Sequence, residues 1–222
     1  MREMREKINL LKGLPKGKKP LKIRSQATKK DRNHHWALDK GYFDGTREQG
    51  YGGYKYDGRW KPVAKDIIKH YSLKDGAKVL DIGCAKGFLI YDIINEFPKI
   101  DVWGVDISTY AINFIDERLK SNIIVANAKE LPFDSNSFDL VLSINSLHNI
   151  LNVNETIDSL SEIQRVSKKE AFVSLGAYKN DIERETLDNW AVVATTYASE
   201  EDWIKIFDKA GYTGDYWWFK PN

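Results

Sequence analysis

A glycine-bearing turn joins a strand-like run of apolar residues to the start of a helical pattern. The turn lies in the stretch VLDIGCAKGF (79–88). Open parallel sheets bind nucleotide-like ligands at such a turn. A dinucleotide fingerprint needs glycines where this chain has Gly83, Ala85 and Phe88, and no Gly-Lys-Ser/Thr completes a phosphate-binding loop. The spacing fits D-x-G-x-G-x-G instead, with Ala85 in place of the middle glycine.

The elements that position this turn alternate between strand and helix patterns. Strand patterns cover 78–82, 101–107, 122–126, 138–144, 171–178 and 216–219, and helical patterns cover 59–75, 88–97, 108–119, 153–166 and 199–211. Strands that alternate with helices in this way predict an α/β fold with a parallel sheet. Residues 179–198 show no clear pattern.

The composition is ordinary for one globular domain, but the charge is unevenly distributed. Residues 1–30 hold 11 Lys or Arg and 2 Asp or Glu, whereas residues 31–222 hold 23 and 30. We expect residues 1–40 to be a basic, poorly ordered arm that is solvated or docked on a partner. An arm that binds nucleic acid is the alternative, which the acidic body disfavours.

The cysteine count and the hydropathy pattern exclude several classes of protein. The single cysteine, Cys84, allows neither an internal disulfide nor a cysteine zinc cluster, and we expect no metal site. No apolar run approaches the roughly 20 residues that cross a bilayer, and the first residues are too charged for a signal peptide. We therefore predict a cytoplasmic protein with no membrane partner.

Four motifs, in order along the chain, resemble those of the class I S-adenosylmethionine-dependent methyltransferases, in particular a bacterial subgroup of the methyltransferase type 11 kind. VLDIGCAKGF is similar to their first motif, and VWGVDIS (102–108) to their acidic ribose-binding motif. The stretch 126–150 resembles the adenine-side motif and fourth strand, and 162–175 the approach to the fifth strand. The resemblance covers about residues 60–212 and implies a Rossmann-like, doubly wound, mostly parallel sheet of seven strands or slightly fewer, with helices on both faces.

The resemblance also implies S-adenosylmethionine as the cofactor and S-adenosylhomocysteine as its product. The residues that we predict to bind the cofactor are Tyr54, Arg59, Asp81, Gly83, Cys84, Ala85, Gly87, Asp106, Ile107, Asn127, Ala128 and Asn145. Glycines allow close approach of the backbone, and Asp106 can accept from both ribose hydroxyls. Asp81 would stabilise the turn or the cofactor ammonium. Asn127 stands where the family usually has Asp, and it would hold the adenine together with the Ala128 N–H.

Two further features bear on catalysis. His148, just past the fourth strand, is a candidate base for a hydroxyl or ammonium nucleophile, or else a histidine that caps local backbone. The Tyr- and Gly-rich segment 41–60 is expected either to close as a lid over a sulfonium cation and substrate or to be a packed surface loop. Arg59 is a candidate partner of the cofactor carboxylate, and Cys84 is expected to be a small buried residue rather than a nucleophile.

We therefore predict a lid at 41–60, a methyltransferase domain at 61–222, and transfer of a methyl group to an N or O atom of a small molecule by in-line SN2 displacement. An RNA or protein methyltransferase that uses the basic arm is one alternative. A non-catalytic S-adenosylmethionine-binding regulator is the other. We expect a small-molecule substrate and no nucleic acid, and we allow for a homodimer.

Overall fold

A seven-stranded sheet forms the centre of the protein. The computed structural model describes residues 5–15, 38–46, 49–191 and 195–221. The strands are β1 (Lys78–Ile82), β2 (Asp101–Asp106), β3 (Ile123–Val125), β4 (Phe138–Ile144), β5 (Ser167–Tyr178), β6 (Ala198–Ser199) and β7 (Asp215–Phe219). Their order is β3-β2-β1-β4-β5-β6, with β7 also paired to β5, and every pairing between these strands is parallel. The carboxyl ends of all seven strands therefore lie at one edge.

Helices pack on both faces of this sheet, as expected from the sequence. They are α1 (Lys40–Asp44), α2 (Lys61–His70), α3 (Phe88–Glu96), α4 (Thr109–Ile112), α5 (Val153–Val166), α6 (Asp181–Trp190) and α7 (Glu200–Lys209). Neighbouring strand residues enter opposite cores, since Val79 packs with α2 and α3 whereas Leu80 packs with α5 and α7. This alternation of buried side chains confirms the doubly wound α/β fold.

Several boundaries differ from the sequence-based prediction. Ser108 caps α4 by accepting the Ala111 N–H, but α4 has only four residues and a separate 3₁₀ turn, Glu117–Asn122, follows it. Helix α2 ends at His70, several residues before Gly76, and Ser72 has a left-handed φ of 48°. The patternless stretch 179–198 contains α6 and the first residue of β6. Helix α6 buries Leu187 alone, which leaves little hydrophobic periodicity to detect.

The N-terminal residues 5–15 pack on the body, so the expectation of a poorly ordered arm is wrong for this part. Leu10 and Leu11 are buried in the core beside α2. The Ile8 N–H donates to the Tyr216 carbonyl and the Tyr216 N–H to the Glu6 carbonyl, both at 3.0 Å, which forms a parallel bridge to β7. Burial of two leucines and these backbone bonds outweigh the basic composition. Residues 16–37 lie outside the described residues.

Two features are absent from the described ranges of the chain. No helix there is long and apolar enough to cross a membrane. No group of three or more metal-ligating side chains lies together in the same part of the chain. Cys84 is a free, buried cysteine. Burial, with the nearby charges of Asp106 and Asp81, raises the pKa of its thiol well above the ordinary value, so Cys84 is held as the neutral thiol.

Candidate active site

In the turn after β1, every second residue over three positions has a left-handed backbone conformation. Gly83, Ala85 and Gly87 have φ angles of 79°, 50° and 70°. Gly87 is the N-cap residue of α3, and the Gly83 and Cys84 N–H groups both donate to the Val105 carbonyl. Left-handed backbone favours glycine, which explains the two glycines. Ala85 adopts the same conformation at a steric cost.

Gly83 is required by a second constraint as well. A Cβ atom at this position would lie 2.0 Å from the Oγ of Ser146, which follows β4. The sequence-based expectation assigned this glycine to close approach of a ligand. The fold itself already demands it, because β1 and β4 are neighbours and their carboxyl ends meet here.

Asp106, at the end of β2, fixes the turn. Its Oδ2 accepts the Ala85 N–H at 2.7 Å, and its Oδ1 accepts the Ser108 N–H at 2.8 Å. Burial raises the pKa of Asp106, although these backbone hydrogen bonds oppose the rise. Each carboxylate oxygen retains further acceptor capacity, so the group can still receive two hydroxyls.

Asp81 is a buried carboxylate to which none of the described residues donates a hydrogen bond. Its exposed fraction is 4%. Burial first, and the charge of Asp106 second, raise its pKa to about 7. A buried carboxylate of this kind costs free energy unless a donor or a cation meets it. The site therefore fits a ligand that brings an ammonium group.

The predicted adenine-side residues are only partly available. The Asn127 Oδ1 already accepts the Lys129 N–H at 3.1 Å in a local turn. The Ala128 N–H donates to no other residue within the described ranges, as an adenine donor should. Ile107 follows Asp106 and is 55% exposed, so it offers an apolar surface beside the carboxylate. These assignments stay predictions.

Two residues beyond β4 have partners in the fold. Asn145 is left-handed with φ of 53°, and its Oδ1 accepts the Ser174 hydroxyl at 2.7 Å. His148 is 2% exposed, and its Nδ1 accepts the Gly176 N–H at 3.0 Å. Burial lowers the pKa of His148 to about 4, which makes the imidazole neutral at ordinary pH. This geometry favours the structural alternative for His148 over a catalytic base.

The segment before α2 packs against the turn through Asp44. The Asp44 carboxylate accepts from Lys86 Nζ at 2.6 and 2.8 Å, from Tyr110 Oη at 2.8 Å and from the Tyr54 N–H at 3.2 Å. Burial opposes ionisation of Asp44, but the Lys86 and Tyr110 hydrogen bonds lower its pKa overall. The Lys86 side chain is only 6% exposed, and its charge is balanced by the ion pair with Asp44.

Three aromatic rings of the same segment lie together over the turn. Tyr51 is 5.2 Å from Tyr42 and 4.5 Å from Tyr54 between ring centroids, and Tyr54 stacks on Phe88 at 4.9 Å. Ala85 and Tyr54 pack against the buried cluster that contains Tyr42. The sequence indicated the aromatic segment but missed the roles of Asp44, Tyr42 and Tyr51. Spacing along the chain carries no signal for a pair such as Asp44 and Lys86, which are 42 residues apart.

Arg59 does not present a free guanidinium group. Its Nε and Nη2 donate to the Asp57 carboxylate at 2.9 and 2.6 Å, and its side chain is 47% exposed. This ion pair raises the pKa of Arg59. Its assignment to a cofactor carboxylate stays a prediction that requires the pair with Asp57 to open.

Comparison with known proteins finds a methyltransferase domain in the part of the chain that contains the turn. Residues 79–170 match the family model of a methyltransferase domain. A demethylmenaquinone methyltransferase of Symbiobacterium thermophilum is 30% identical over 131 residues, which are 55% of this chain and 51% of that protein. A tRNA (carboxymethyluridine(34)-5-O)-methyltransferase of Arabidopsis thaliana is 27% identical over 147 residues, 66% of this chain and 34% of that protein. The chain thus spans about half the length of such relatives, or less.

Solved structures share the fold. One is a chain from the complex of the Haloferax volcanii Trm112 methyltransferase activator with a candidate methyltransferase. It aligns with a TM-score of 0.54 at 17% sequence identity, over 88% of this chain and 77% of that chain. At this identity the likeness concerns the fold alone.

Proposed function

We propose that this protein is a class I S-adenosylmethionine-dependent methyltransferase, as the match of residues 79–170 to a methyltransferase domain supports, and that it methylates a nitrogen or oxygen atom of a small molecule. The observation that carries this proposal is the pair of buried carboxylates at the turn. Asp81 lies at the end of β1 without a donor among the described residues, and Asp106 lies at the end of the adjacent β2. They are placed to meet one ligand that carries both a cation and hydroxyl groups.

The chain's own residues bind and orient this ligand. S-adenosylmethionine, when bound, supplies a methyl group on a positively charged sulfur, which is an excellent leaving group. Asp81 would hold an ammonium group, Asp106 two ribose hydroxyls, and the Ala128 N–H a ring nitrogen of the adenine. Holding a nucleophile in line is worth roughly 7–11 kcal/mol in well-oriented reactions, so positioning can supply most of the catalysis.

A nitrogen acceptor fits the site better than a hydroxyl. An amine that arrives deprotonated needs no base, whereas a hydroxyl must lose its proton. The only predicted base, His148, has its Nδ1 occupied by the Gly176 N–H and a pKa lowered by burial to about 4. Transfer to a deprotonated amine therefore fits this site, because that reaction needs no base from His148.

An RNA acceptor is the second candidate, because one relative is a tRNA methyltransferase by name. The basic charge that would support it is concentrated in residues 1–30. Part of that charge is already used, since Arg5 pairs with Asp208 and Lys7 with Glu200. Titration with tRNA at low and moderate salt separates the two candidates, because phosphate contacts give a steep salt dependence.

Calorimetric titration of the full chain with S-adenosylmethionine tests the proposed function. We expect binding that Asp106→Ala weakens by about 1.5–3 kcal/mol, because the charged acceptor of the ribose hydroxyls is lost. Asp116→Ala is the matched control, since Asp116 pairs locally with Arg118 at the protein surface. Absence of binding by the unaltered protein, or equal loss in the control, would contradict the proposal.

A further inference from the structure

A cavity lies at the outer edge of β7, near the carboxyl ends of β5 and β7. Its volume is about 230 Å³. Of the described residues, three lysines, one glutamate and two tryptophans line it: Lys7, Lys179, Lys220, Glu200, Trp217 and Trp218. Lys179 follows the last residue of β5, and Lys220 follows the last residue of β7. Lys7 lies opposite Tyr216 in the bridge to β7, so the cavity lies where the N-terminal segment meets the sheet.

The two tryptophans give the cavity apolar walls from both sides of β7. Trp218 is buried in the core beside α5 and α7, whereas Trp217 packs against the opposite core. The Lys7 Nζ lies 5.9 Å from the centroids of both rings. A cavity of roughly 150 Å³ is enough to hold a body the size of benzene. This cavity therefore has room for one ring and a small charged group.

The ammonium groups at the cavity outnumber the carboxylates that pair with them. The Lys7 Nζ lies 3.1 Å from Oε2 of Glu200. The Nζ atoms of Lys220 and Lys179 lie 2.9 and 4.0 Å from the other oxygen, Oε1 of Glu200. Glu183 is a second partner of Lys220, at 2.8 Å. Three cations and two anions thus leave one positive charge in excess among these five side chains.

Lys179 carries the charge that is paired least well. Burial opposes ionisation of both Glu200 and Lys220, but their ion pairs lower the pKa of Glu200 and raise that of Lys220, so both stay charged. The Lys179 side chain is 62% exposed, and none of the described residues accepts a hydrogen bond from its Nζ. Two ammonium groups beside one carboxylate oxygen repel each other. A further anion would relieve this repulsion and accept the N–H donors of Lys179.

We propose that this cavity binds a small organic oxyanion, that is, a phosphate or carboxylate group joined to an apolar body no larger than one ring. Lysine binds such groups as a point charge, and the tryptophan walls would cover the apolar body. The cavity is separate from the turn after β1, because β4 and β5 lie between β1 and β7. Three strand spacings of about 4.8 Å put the two places roughly 14 Å apart. The two sites can therefore be tested independently.

Calorimetric titration of the full chain with phenyl phosphate tests this site, and inorganic phosphate and phenol test the two parts of the ligand. We expect phenyl phosphate to bind more tightly than inorganic phosphate, and phenol to show no binding. Lys179→Met should weaken phenyl phosphate binding about three- to tenfold, because it removes a charge and its N–H donors. Lys205→Met is the matched control, since Lys205 is 64% exposed and pairs with Glu201 and Asp202 within α7.

Nuclear magnetic resonance locates the bound ligand. The indole N–H signals of Trp217 and Trp218 should shift on titration with phenyl phosphate, because both residues line the cavity. The signal of Trp103 should stay in place, since Trp103 lies on β2, beyond β1 and β4. Excess S-adenosylhomocysteine should leave the shifts of Trp217 and Trp218 unchanged, because its predicted site is the turn.

Four results would overturn the proposal. They are unchanged signals of Trp217 and Trp218, equal affinity of Lys179→Met and the unaltered protein, displacement of phenyl phosphate by S-adenosylhomocysteine, and equal affinity for phenyl phosphate and inorganic phosphate. Displacement would place the anion at the turn, and equal affinity for the two phosphates would leave a site for the free ion only. If S-adenosylhomocysteine does not bind, the proposed function fails, whereas the phosphate titrations in its absence still decide whether this cavity is a site.

Discussion

Ala85 is the residue at which the chain departs from the D-x-G-x-G-x-G pattern, and its backbone has a left-handed φ of 50°. An L-residue with a Cβ pays roughly 1–2 kcal/mol for this conformation, whereas glycine adopts it freely but loses about 0.5–1 kcal/mol of chain entropy. Ala85→Gly should therefore stabilise the protein by about 0.5–1 kcal/mol. Urea denaturation measures the change. A loss of stability would mean that the packing of the methyl group against the tyrosine segment outweighs the backbone strain.

Asp81 should make the stability of the ligand-free protein depend on pH. Its pKa is raised to about 7 in the folded state, against roughly 3.9 in an unfolded chain. Between these values the folded protein holds the extra proton, so its stability falls as pH rises from about 4 to 7. Asp81→Asn should remove this contribution and stabilise the protein at pH 8 by a few kcal/mol, on the order of 1.4 kcal/mol per pKa unit.

Denaturation of both proteins at pH 5 and pH 8 measures that effect as a difference between them. The comparison cancels the groups that titrate independently of Asp81. Parallel pH profiles would show that the Asp81 carboxylate is solvated or partnered.

At the residue scale the sequence could predict which acids end β1 and β2, because their spacing is local. It could not predict that Asp81 lacks a donor among the described residues, which depends on three-dimensional packing.

At the scale of elements, the strands β1, β2 and β4 were predicted nearly to the residue, because buried parallel strands read as short apolar runs between turns. Helix α6 and strand β6 were missed. Helix α6 buries one residue, and β6 has only two residues, so neither gives a periodic signal. The helix predicted from Ser108 to Leu119 is broken after Ile112, and a 3₁₀ turn capped by Asp116 begins beyond the break.

The contact between the tyrosine segment and the turn depends on Asp44. Asp44→Ala would leave Lys86 buried without a counter-charge, which costs on the order of 3 kcal/mol. Lys86→Met removes the buried charge, so the double variant should recover much of the loss. A double-mutant cycle of unfolding free energies should give a coupling above about 1 kcal/mol. Additive effects would show that the segment is held by its aromatic packing alone.

Residues 5–15 cover the edge of the sheet that is formed by β7. The expectation of a poorly ordered basic arm followed from the many lysines and the prolines of the first thirty residues. Two buried leucines in this segment are enough to dock it on the body of the protein. Composition reports the solvation of a segment as a whole, whereas docking depends on which few residues share a face.

Removal of residues 1–15 should therefore destabilise the protein strongly. Leu10 and Leu11 are 4% and 8% exposed, and Leu→Ala at buried positions costs about 2–5 kcal/mol each. Thermal unfolding of Leu11→Ala should show this loss, while Lys12→Ala, whose side chain is 68% exposed, should remain within about 0.5 kcal/mol of the unaltered protein.

The truncated protein should also associate. Loss of the bridge at Tyr216 leaves β7 with unpaired backbone groups at the sheet edge, and such an edge is a template for pairing with another chain. Light scattering of the variant without residues 1–15 should detect oligomers that Leu11→Ala does not form, because Leu11→Ala keeps the backbone of residues 6–8 on the edge. A truncated protein that is monomeric and has an unchanged melting temperature would contradict both expectations. The N-terminal residues would then neither stabilise the core nor protect the edge of the sheet, as the prediction of a poorly ordered arm requires.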